Sequence, residues 1–303
     1  MSVQVSVVIP VYNSSKSLEE LVQLTTAALT DTPHEIILVN DGSKDDSWKT
    51  ILSLKQRYGH SLIGINLSRN FGQHNALVCG FSVASGELIV TMDDDLQHPP
   101  EEIGKLIAKY NNTHADVVYG IPENKQHSGM RNAGSYFVRK SSHYLENKVE
   151  GSSFRLIRAT VAKKIDTHHH NTMLFIDEIL SWYTSNYANV TVRHDARKHG
   201  QSTYSYQTLF RLYLDIVVNH SAVPLQIMTW LGLIGSLVTF CIGTLFIIRK
   251  FIYDVPIGFT ALIVAILFTG SILMMCMGII GRYLYKLYQL QNRKPGYVVR
   301  ERV

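Results

Sequence analysis

The chain has too few cysteines for a disulfide framework. Its three cysteines are Cys79, Cys241 and Cys276, and the last two lie in apolar stretches. An odd number in these positions excludes the small secreted folds that depend on several disulfides. The cysteine content therefore suits a reducing cytoplasm.

Charged residues are missing from two long stretches near the end of the chain. No Asp, Glu, Lys or Arg occurs from Ile216 to Ile248 or from Val255 to Gly281. Each stretch contains more than about 20 largely apolar residues, enough for a helix to cross a hydrocarbon core of ~30 Å. A buried hairpin in a water-soluble core is the alternative, but two adjacent runs favour a transmembrane hairpin at 226–281, with helices near 226–248 and 257–281.

Basic residues lie on both sides of this predicted hairpin. They are Arg193, Arg197, Lys198 and Arg211 before it, and Arg282, Lys286, Arg293, Lys294, Arg300 and Arg302 in the tail 282–303. By the positive-inside rule, we expect a multi-pass protein of the inner membrane, with the domain 1–203 and both termini in the cytoplasm. Arg249 and Lys250 in the connecting turn weaken this prediction without reversing it.

The net charge of +5 would also suit a nucleic-acid partner. Nothing in the sequence resembles a nucleic-acid-binding module, however, so we expect no such partner.

The first part of the chain alternates short apolar segments with segments of helical spacing. We predict strands at Val5–Ile9, Glu35–Val39, Leu62–Leu67, Glu87–Met92 and Asp116–Tyr119, and helices at Ser17–Leu29, Asp45–Tyr58, Asn75–Ala84 and Pro100–Tyr110. This order indicates an α/β fold with a mainly parallel sheet and helices on both faces. Ligands bind beyond the carboxyl ends of the strands in such sheets.

Three predicted strand ends carry polar residues. They are Pro10-Val11-Tyr12-Asn13, Asn40-Asp41-Gly42-Ser43 and Asp93-Asp94-Asp95-Leu96-Gln97. In extended backbone Asp93 and Asp95 point to the same side, where two carboxylates suit a hard divalent cation bound to a diphosphate. A solvated acidic loop is the alternative, but the alignment with two other polar strand ends favours the metal.

These segments carry a family resemblance. SVVIPVYN, EIILVNDGSKDDS and NLSRNFGQHNALVCGFSVASGELIVTMDDDLQHPPEEI resemble, in order and spacing, the family 2 glycosyltransferases with the GT-A fold. The similarity extends to polyprenyl-phosphate sugar transferases: dolichyl-phosphate mannose synthase, the bactoprenol glucosyltransferases and, above all, the undecaprenyl-phosphate aminoarabinose-type transferases. It resumes at Gly151–Arg155 and Arg197–Ser205 and continues into the paired apolar stretches.

The resemblance implies a role for individual residues. Pro10, Tyr12, Asp41, Arg69 and Asp93 would bind the nucleotide; Asp93, Asp95 and Gln97 would hold Mg²⁺ or Mn²⁺; and Arg131, Arg155, Arg197 and Ser202 would bind the acceptor phosphate. Asp93, Asp95, Arg155 and Arg197 would be the catalytic set. Arginine suits phosphate because its planar fork binds two oxygens at once. The resemblance also implies a homo-oligomer, with a tetramer as the expected form.

The sequence departs from the family pattern at two positions. Relatives usually have an Asp two residues before the glycine of the Gly-x-x-Phe/Leu-Arg segment, whereas this chain has Val149 followed by Glu150. The Ser-Lys-Tyr of the acceptor loop is Ser202-Thr203-Tyr204, which removes one cation. Both changes affect the donor sugar and the acceptor, and neither affects the nucleotide or the metal.

The favoured hypothesis is inverting transfer of a sugar from a nucleotide, UDP by preference, to undecaprenyl phosphate or a similar lipid, for modification of cell-envelope glycan or lipopolysaccharide. A phosphate monoester has a second pKa near 6, so its anionic oxygen can attack without a general base. A sugar hydroxyl as acceptor is the first alternative, with Asp177 or Glu178 as base, although both acids also suit a structural role. The second is a non-catalytic membrane scaffold, which the complete Asp93, Asp95 and Gln97 set disfavours.

Two other segments leave their role open. Residues 204–225 are predicted to form a juxtamembrane helix that either lies along the bilayer or packs at a subunit contact. His74 suits either the lining of the site or a structural position, and the run His168-His169-His170 indicates a polar connection rather than a metal site.

Overall fold

The computed structural model describes residues 3–123, 152–168, 176–195, 258–291 and 295–303, and scattered positions between 230 and 252. These residues divide into two units, one that contains a β-sheet and one that contains a long C-terminal helix. The predicted residues Arg131, Val149, Arg197, Ser202 and Thr203 lie outside the described part, as does the predicted juxtamembrane segment 204–225.

Strands and helices alternate in the first part of the chain. They are β1 (Val5–Val11), α1 (Leu18–Ala28), β2 (His34–Asn40), α2 (Ser47–Tyr58), β3 (Leu62–Leu67), α3 (Gln73–Val83), β4 (Leu88–Thr91), α4 (Ile103–Thr113) and β5 (Val117–Pro122). All the strands and helices predicted here are confirmed, with ends that differ by a few residues. The predicted helix start at Pro100 is a 3-10 turn, Pro100–Glu102, that leads into α4.

Later segments complete the sheet. They are β6 (Arg155–Arg158), α5 (Ala159–His168), α6 (Ile176–Tyr183), β7 (Tyr187–Val192), α7 (Phe259–Gln291) and β8 (Val299–Arg302). Among the described residues the sheet has eight strands in the order β7-β5-β6-β4-β1-β2-β3-β8. Only β6 and β8 run against the others within this part of the chain, so the prediction of a mainly parallel sheet is confirmed.

The core occupies both faces of the sheet. Every residue of β1 is buried, as expected for a central parallel strand that is covered on both sides. Val7 and Ile9 face a layer with side chains of α1, α2 and α4, whereas Val8 faces a layer with side chains of α3, α5 and α6. The alternation along β1 therefore accounts for helices on both faces.

Helix α3 packs very closely over β1. A Cβ atom built at Gly80 would overlap Val8 Cγ1, so only glycine allows this approach. The close contact fixes the N-terminus of α3, and with it Gln73, relative to the end of the sheet where the polar loops lie.

The C-terminal part departs from the predicted boundaries. Helix α7 begins inside the second predicted span and continues past Gly281 to Gln291, and the tail then forms β8, which pairs with β3. The tail 282–303 is therefore not simply a basic extension. In the part of the chain that the structure describes, none of the helices meets the length and apolarity needed to cross a membrane.

Candidate functional site

The loops that follow β1, β2 and β4 meet at one edge of the sheet. The backbone N–H of Tyr12 donates to Asp94 Oδ2 at 3.0 Å, and that of Asn13 donates to Ser43 Oγ at 3.0 Å. Ser17 Oγ donates to the carbonyl oxygen of Asp94 at 2.7 Å. The three polar strand ends singled out in the sequence therefore form one continuous surface, as parallel strands require.

Asp93 is held from two directions. Gln73 Nε2 donates to Asp93 Oδ1 at 2.5 Å, and Ser153 Oγ donates to Asp93 Oδ2 at 2.7 Å. Burial raises the pKa of Asp93, the neighbouring Asp95 raises it further, and Ser153, Arg155 and Gln73 oppose the rise. The carboxylate thus has a fixed orientation in a site that disfavours uncompensated negative charge.

Asp94 and Asp95 lie in a turn and not in extended backbone. Strand β4 ends at Thr91, and Leu96 has a φ of +60°, an unusual value for a non-glycine residue. The alternation used to place Asp93 and Asp95 on one side is therefore wrong as an argument, although the metal assignment itself stays a prediction. The strained Leu96 marks this loop as one whose shape the surrounding structure imposes.

Asp94 joins the loop after β4 to the loop after β1. Burial raises its pKa to about 6, and the charges of Asp93 and Asp95 add to the rise, whereas hydrogen bonds from Ser14 and from the backbone of Tyr12 oppose it. The sequence analysis gave this residue no role.

The predicted nucleotide-binding residue Asp41 is buried. Its side chain accepts hydrogen bonds from the backbone N–H groups of Phe71 at 2.7 Å and Gly72 at 2.9 Å, and the residue is 2% exposed. Burial raises the pKa of Asp41, and these two backbone donors oppose the rise. Asp41 therefore joins the loop after β2 to the loop after β3, and only its remaining lone pairs are left for a nucleotide.

Arg69 lies in that second loop and is exposed to solvent. Its guanidinium stands over the ring of Phe71, 4.7 Å from the centroid. Gly42, with φ of +65°, allows the backbone of Arg69 and Asn70 to approach, because a Cβ there would lie 2.5 Å from both. Arg69 is thereby set beside the turn that follows β2.

Pro10 and Tyr12 have different environments. Pro10 is buried in β1 opposite Val39, whereas the Tyr12 side chain is 45% exposed at the strand end. Of these two predicted nucleotide residues, only Tyr12 presents a ring to solvent, and Pro10 shapes the strand beneath it.

Arg155 forms a buried ion pair that the sequence did not predict. The residue is 2% exposed, and Nη1 donates to Asp177 Oδ1, which also accepts a hydrogen bond from Tyr119 Oη at 3.1 Å. Among the described residues, the buried Arg155 Nε has no hydrogen-bond partner. Burial and the charge of Arg155 lower the pKa of nearby His74 to about 4, so this imidazole is neutral at pH 7.

Gln97 and His98 follow the acidic loop. The backbone N–H of Gln97 donates to Asp95 Oδ1 at 3.2 Å, and its carbonyl accepts from the N–H of Asp195 at 2.8 Å. His98 stacks on Phe154 with ring centroids 5.1 Å apart, and burial lowers its pKa to about 4. The loop is therefore supported from below by aromatic packing.

The oxygen atoms of the acidic loop are the candidate ligands for a divalent cation. Among the described residues, no three or more His, Cys, Asp or Glu side chains converge on a point that could hold a metal ion. The charge of Asp95 nevertheless raises the pKa of Asp93, and the charges of Asp93 and Asp95 raise the pKa of Asp94, a cost that a cation would relieve. The residues fit an ion that takes part of its coordination from a bound diphosphate, as Mg²⁺ usually does.

The sequence analysis missed Gln73, Ser153 and Asp94. Gln73 and Ser153 lie 20 and 60 residues away from Asp93 in the sequence, and no local sequence pattern predicts such contacts. Only the resemblance at Gly151–Arg155 pointed to the neighbourhood of Ser153.

Known proteins share sequence similarity with nearly the whole chain. A family model for glycosyl transferase family 2 matches residues 6–180. The undecaprenyl-phosphate 4-deoxy-4-formamido-L-arabinose transferase of Enterobacter sp. (strain 638) is 33% identical over 304 residues, which cover 98% of this chain and 92% of the relative.

Solved structures resemble the chain more distantly. A mannosyltransferase from Pyrobaculum calidifontis in complex with GDP-Man and Mn²⁺ superposes with a TM-score of 0.50 at 16% identity, covering 75% of this chain and 65% of that one. Mannosyl-3-phosphoglycerate synthase from Rubrobacter xylanophilus gives 0.50 at 13% identity, covering 71% and 72%. With the family match, this likeness confirms the predicted GT-A fold.

Proposed function

The chain belongs to glycosyl transferase family 2, and we propose that it transfers a sugar from a nucleotide to undecaprenyl phosphate or a similar polyprenyl phosphate, with inversion. The single observation that carries the proposal is the match along 98% of the chain to a relative named as an undecaprenyl-phosphate sugar transferase. UDP is the favoured nucleotide, and modification of cell-envelope glycan or lipopolysaccharide is the favoured purpose.

The loops after β1, β2 and β3 are the proposed nucleotide site. Tyr12 presents an exposed ring at the end of β1, and Arg69 stands beside the turn at Gly42. Asp41 contributes indirectly, because its oxygens accept hydrogen bonds from the backbone N–H groups of Phe71 and Gly72. These bonds order the loop that contains Arg69. An aromatic face, a cation and ordered backbone are the chemistry that a nucleoside diphosphate needs.

Asp93 and Asp95, with Gln97, are the proposed metal ligands. A bound Mg²⁺ or Mn²⁺ would neutralise the diphosphate and help it to depart. The related fold in the Pyrobaculum enzyme was solved with GDP-Man and Mn²⁺. Gln73 and Ser153 orient the Asp93 carboxylate by donating to one oxygen each.

The reaction needs no base if a phosphate is the acceptor. A phosphate oxygen forms the new bond to the anomeric carbon, and the bond from that carbon to the nucleoside diphosphate breaks with its electron pair. No proton moves in this step, because the acceptor oxygen is already an anion at pH 7.

The contacts of Asp177 support this choice of acceptor. A general base must be able to receive a proton from the acceptor hydroxyl. Asp177 Oδ1 already accepts from Arg155 and from Tyr119 Oη, so this carboxylate serves as the partner of a buried charge. These two contacts make Asp177 a poorer candidate base for a hydroxyl acceptor than a carboxylate without such partners, and Glu178 is the other candidate.

The predicted hairpin remains part of the proposal. The two uncharged stretches of the sequence support two membrane crossings. The pairing of β8 with β3 supports an even number of crossings. Because β8 follows the second stretch yet lies in the same sheet as β1, the chain must return to the side of the membrane that it left. We propose a multi-pass protein of the inner membrane with the sheet in the cytoplasm, and a homo-oligomer, of which a tetramer is the favoured form.

The test is transfer by the purified full-length protein in detergent. UDP-, GDP- and CDP-linked sugars are offered one at a time with undecaprenyl phosphate, with undecaprenol as the acceptor lacking phosphate, and with Mg²⁺, Mn²⁺ or EDTA. We expect a lipid-phosphate-linked sugar with one nucleotide family, and loss of product with undecaprenol or EDTA. Product on a hydroxyl acceptor and none on undecaprenyl phosphate would overturn the proposal.

A further inference from the structure

The end of the chain adds a strand to the edge of the sheet next to the proposed nucleotide site. We call Tyr297–Val303 the C-terminal segment and Ser68–Gly72 the nucleotide loop. Within β8, Arg302 lies opposite Ile65, Glu301 opposite Asn66 and Val299 opposite Leu67, with a register shift between Asn66 and Leu67. The shift lies just before the nucleotide loop begins.

Backbone hydrogen bonds hold the C-terminal segment in place at both ends. Gly64 and Val303 exchange two bonds, with N···O distances of 3.0 and 2.9 Å. At the other end, the N–H of Ser68 donates to the carbonyl of Val298 at 2.9 Å. Ser68 is the first residue of the nucleotide loop, so the C-terminal segment fixes the point where that loop leaves the sheet.

Two side chains of the C-terminal segment add to this attachment. All four residues of β8 are exposed, whereas Tyr297 packs on the layer of α3 and its hydroxyl lies 3.3 Å from Ser82 Oγ. At the other end Val303 Cγ2 lies close over Gly64, next to Ile51. The strand is therefore attached mainly by its backbone and by the side chains of Tyr297 and Val303.

The nucleotide loop passes this constraint on to the site. The N–H groups of Phe71 and Gly72 bind Asp41, and the backbone of Arg69 lies against Gly42. Gln73, directly after the loop, donates to Asp93. The position at which the chain leaves β3 therefore affects the proposed nucleotide residues Asp41 and Arg69 and the proposed metal ligand Asp93.

We propose that the C-terminal segment is a positioning element of the nucleotide site, which holds the nucleotide loop in its binding conformation through the Ser68–Val298 bond and the β3–β8 pairing. The inference rests on the proposed function for its consequence, tighter nucleotide binding. The positioning itself is independent of which nucleotide or acceptor is used.

The experiment compares the full-length protein in detergent with a chain that ends at Gly296. Hydrogen exchange of the apo proteins reports on the amides of Ser68, Phe71 and Gly72, and titration with UDP, GDP or CDP in the presence of Mn²⁺ reports on binding. We expect these amides to exchange at least about tenfold faster in the truncated chain, and Kd to rise by about tenfold, as for loss of one hydrogen-bonded constraint. A synthetic peptide of residues 295–303 should restore both values.

A point variant keeps the test valid if truncation unfolds the protein. The alternation of an antiparallel ladder places Glu301 N–H toward Asn66, because Gly64 and Val303 form the hydrogen-bonded pair two residues away. Glu301→Pro removes that donor, and Glu301→Ala, which keeps it, is the matched control. We expect the proline variant alone to show faster loop exchange and weaker nucleotide binding.

The outcomes separate this inference from the proposed function. Unchanged exchange of the nucleotide loop in the truncated and Glu301→Pro proteins would overturn the positioning role, whatever the affinity. Faster loop exchange in a protein that binds none of the three nucleotides would support positioning and count against the nucleotide-dependent function.

Discussion

The ion pair between Arg155 and Asp177 gives the sharpest prediction. Arg155 is 2% exposed and the Asp177 side chain 23% exposed, so loss of the carboxylate would leave a guanidinium largely desolvated. Removal of one partner of a buried pair costs about 3–5 kcal/mol, and the partial exposure of Asp177 favours the low end, about 3 kcal/mol, for Asp177→Ala. Asp177→Asn keeps an acceptor oxygen and should cost about 1–2 kcal/mol.

These changes should appear in thermal unfolding. A loss of 3 kcal/mol lowers Tm by roughly 6–12 °C in a domain of this size. The double variant Arg155→Met with Asp177→Leu removes both charges, and its stability should recover toward that of the wild type, because paired buried charges are often replaced by apolar residues without loss. A double variant less stable than Asp177→Ala would show that the pair stabilises more than it costs.

Transfer activity should respond differently to substitution of Asp177 and to substitution of Arg155. Asp177→Asn and Glu178→Gln should each keep substantial transfer, since an anionic acceptor needs no base. Arg197→Ala should lose about 10²–10³-fold, as expected for the loss of a cation that stabilises phosphate charge. Arg155→Ala should lose a similar factor, because the buried guanidinium balances the charge of Asp93. The assay is turnover at saturating donor for all four variants, with each fraction folded measured in parallel.

The pH–rate profile distinguishes an effect of Arg155 on Asp93 from a loss of activity that is caused only by destabilisation of the fold. The charge of Arg155 lowers the pKa of Asp93 against a rise caused by burial. Without Arg155 the pKa of Asp93 rises further. As the pH falls, Asp93 is then protonated at a higher pH and no longer binds the metal, so the acid limb of the profile should shift to higher pH. A folded but inactive Asp177→Asn or Glu178→Gln protein beside an active Arg155→Ala protein would refute the phosphate-acceptor mechanism.

Three further predictions concern the metal, the packing and the topology. Asp95→Asn should lower transfer by about 10²-fold or more without unfolding the protein, because it removes a ligand charge, and near wild-type activity at limiting Mg²⁺ or Mn²⁺ would contradict the metal assignment. Gly80→Ala should cost about 1–3 kcal/mol through overlap with Val8, whereas Gly104→Ala in α4, where nothing lies within 4 Å of the added Cβ, should be neutral or stabilising in the same unfolding experiment. A reporter fused after Val303 should be active only on the cytoplasmic side, and activity restricted to the outer side would reverse the proposed topology.

The parallel part of the sheet was predictable because its strands are locally unambiguous. β1, β2 and β4 are short and largely buried with Val, Ile and Leu at their centres, and polar residues follow each within two positions. Parallel pairing then requires those polar ends to meet at one edge, with no knowledge of side-chain contacts. The surface formed by the loops at Tyr12, Asp41 and Asp93 follows from this rule alone.

The antiparallel and edge strands were not predictable in the same way. β6 has an arginine at each end, and β8 carries charged, exposed side chains. Such segments become strands because the rest of the sheet provides backbone hydrogen-bond partners. The availability of those partners depends on the whole fold and not on the sequence of the segment. The acidic loop shows the same limit, since the turn at Asp94 and the positive φ of Leu96 depend on contacts with Tyr12 and Ser17.

The position of Arg155 explains why residue type alone gave an incomplete account of the site. In β6 it lies opposite Thr91 of β4 and Tyr119 of β5, on the same face as Ile157, which packs in the layer of α3, α5 and α6. A slip of one residue would turn it toward the other face. The register therefore places this guanidinium beside Asp177 in α6, where it donates a hydrogen bond to that carboxylate and acts on Asp93 through its charge.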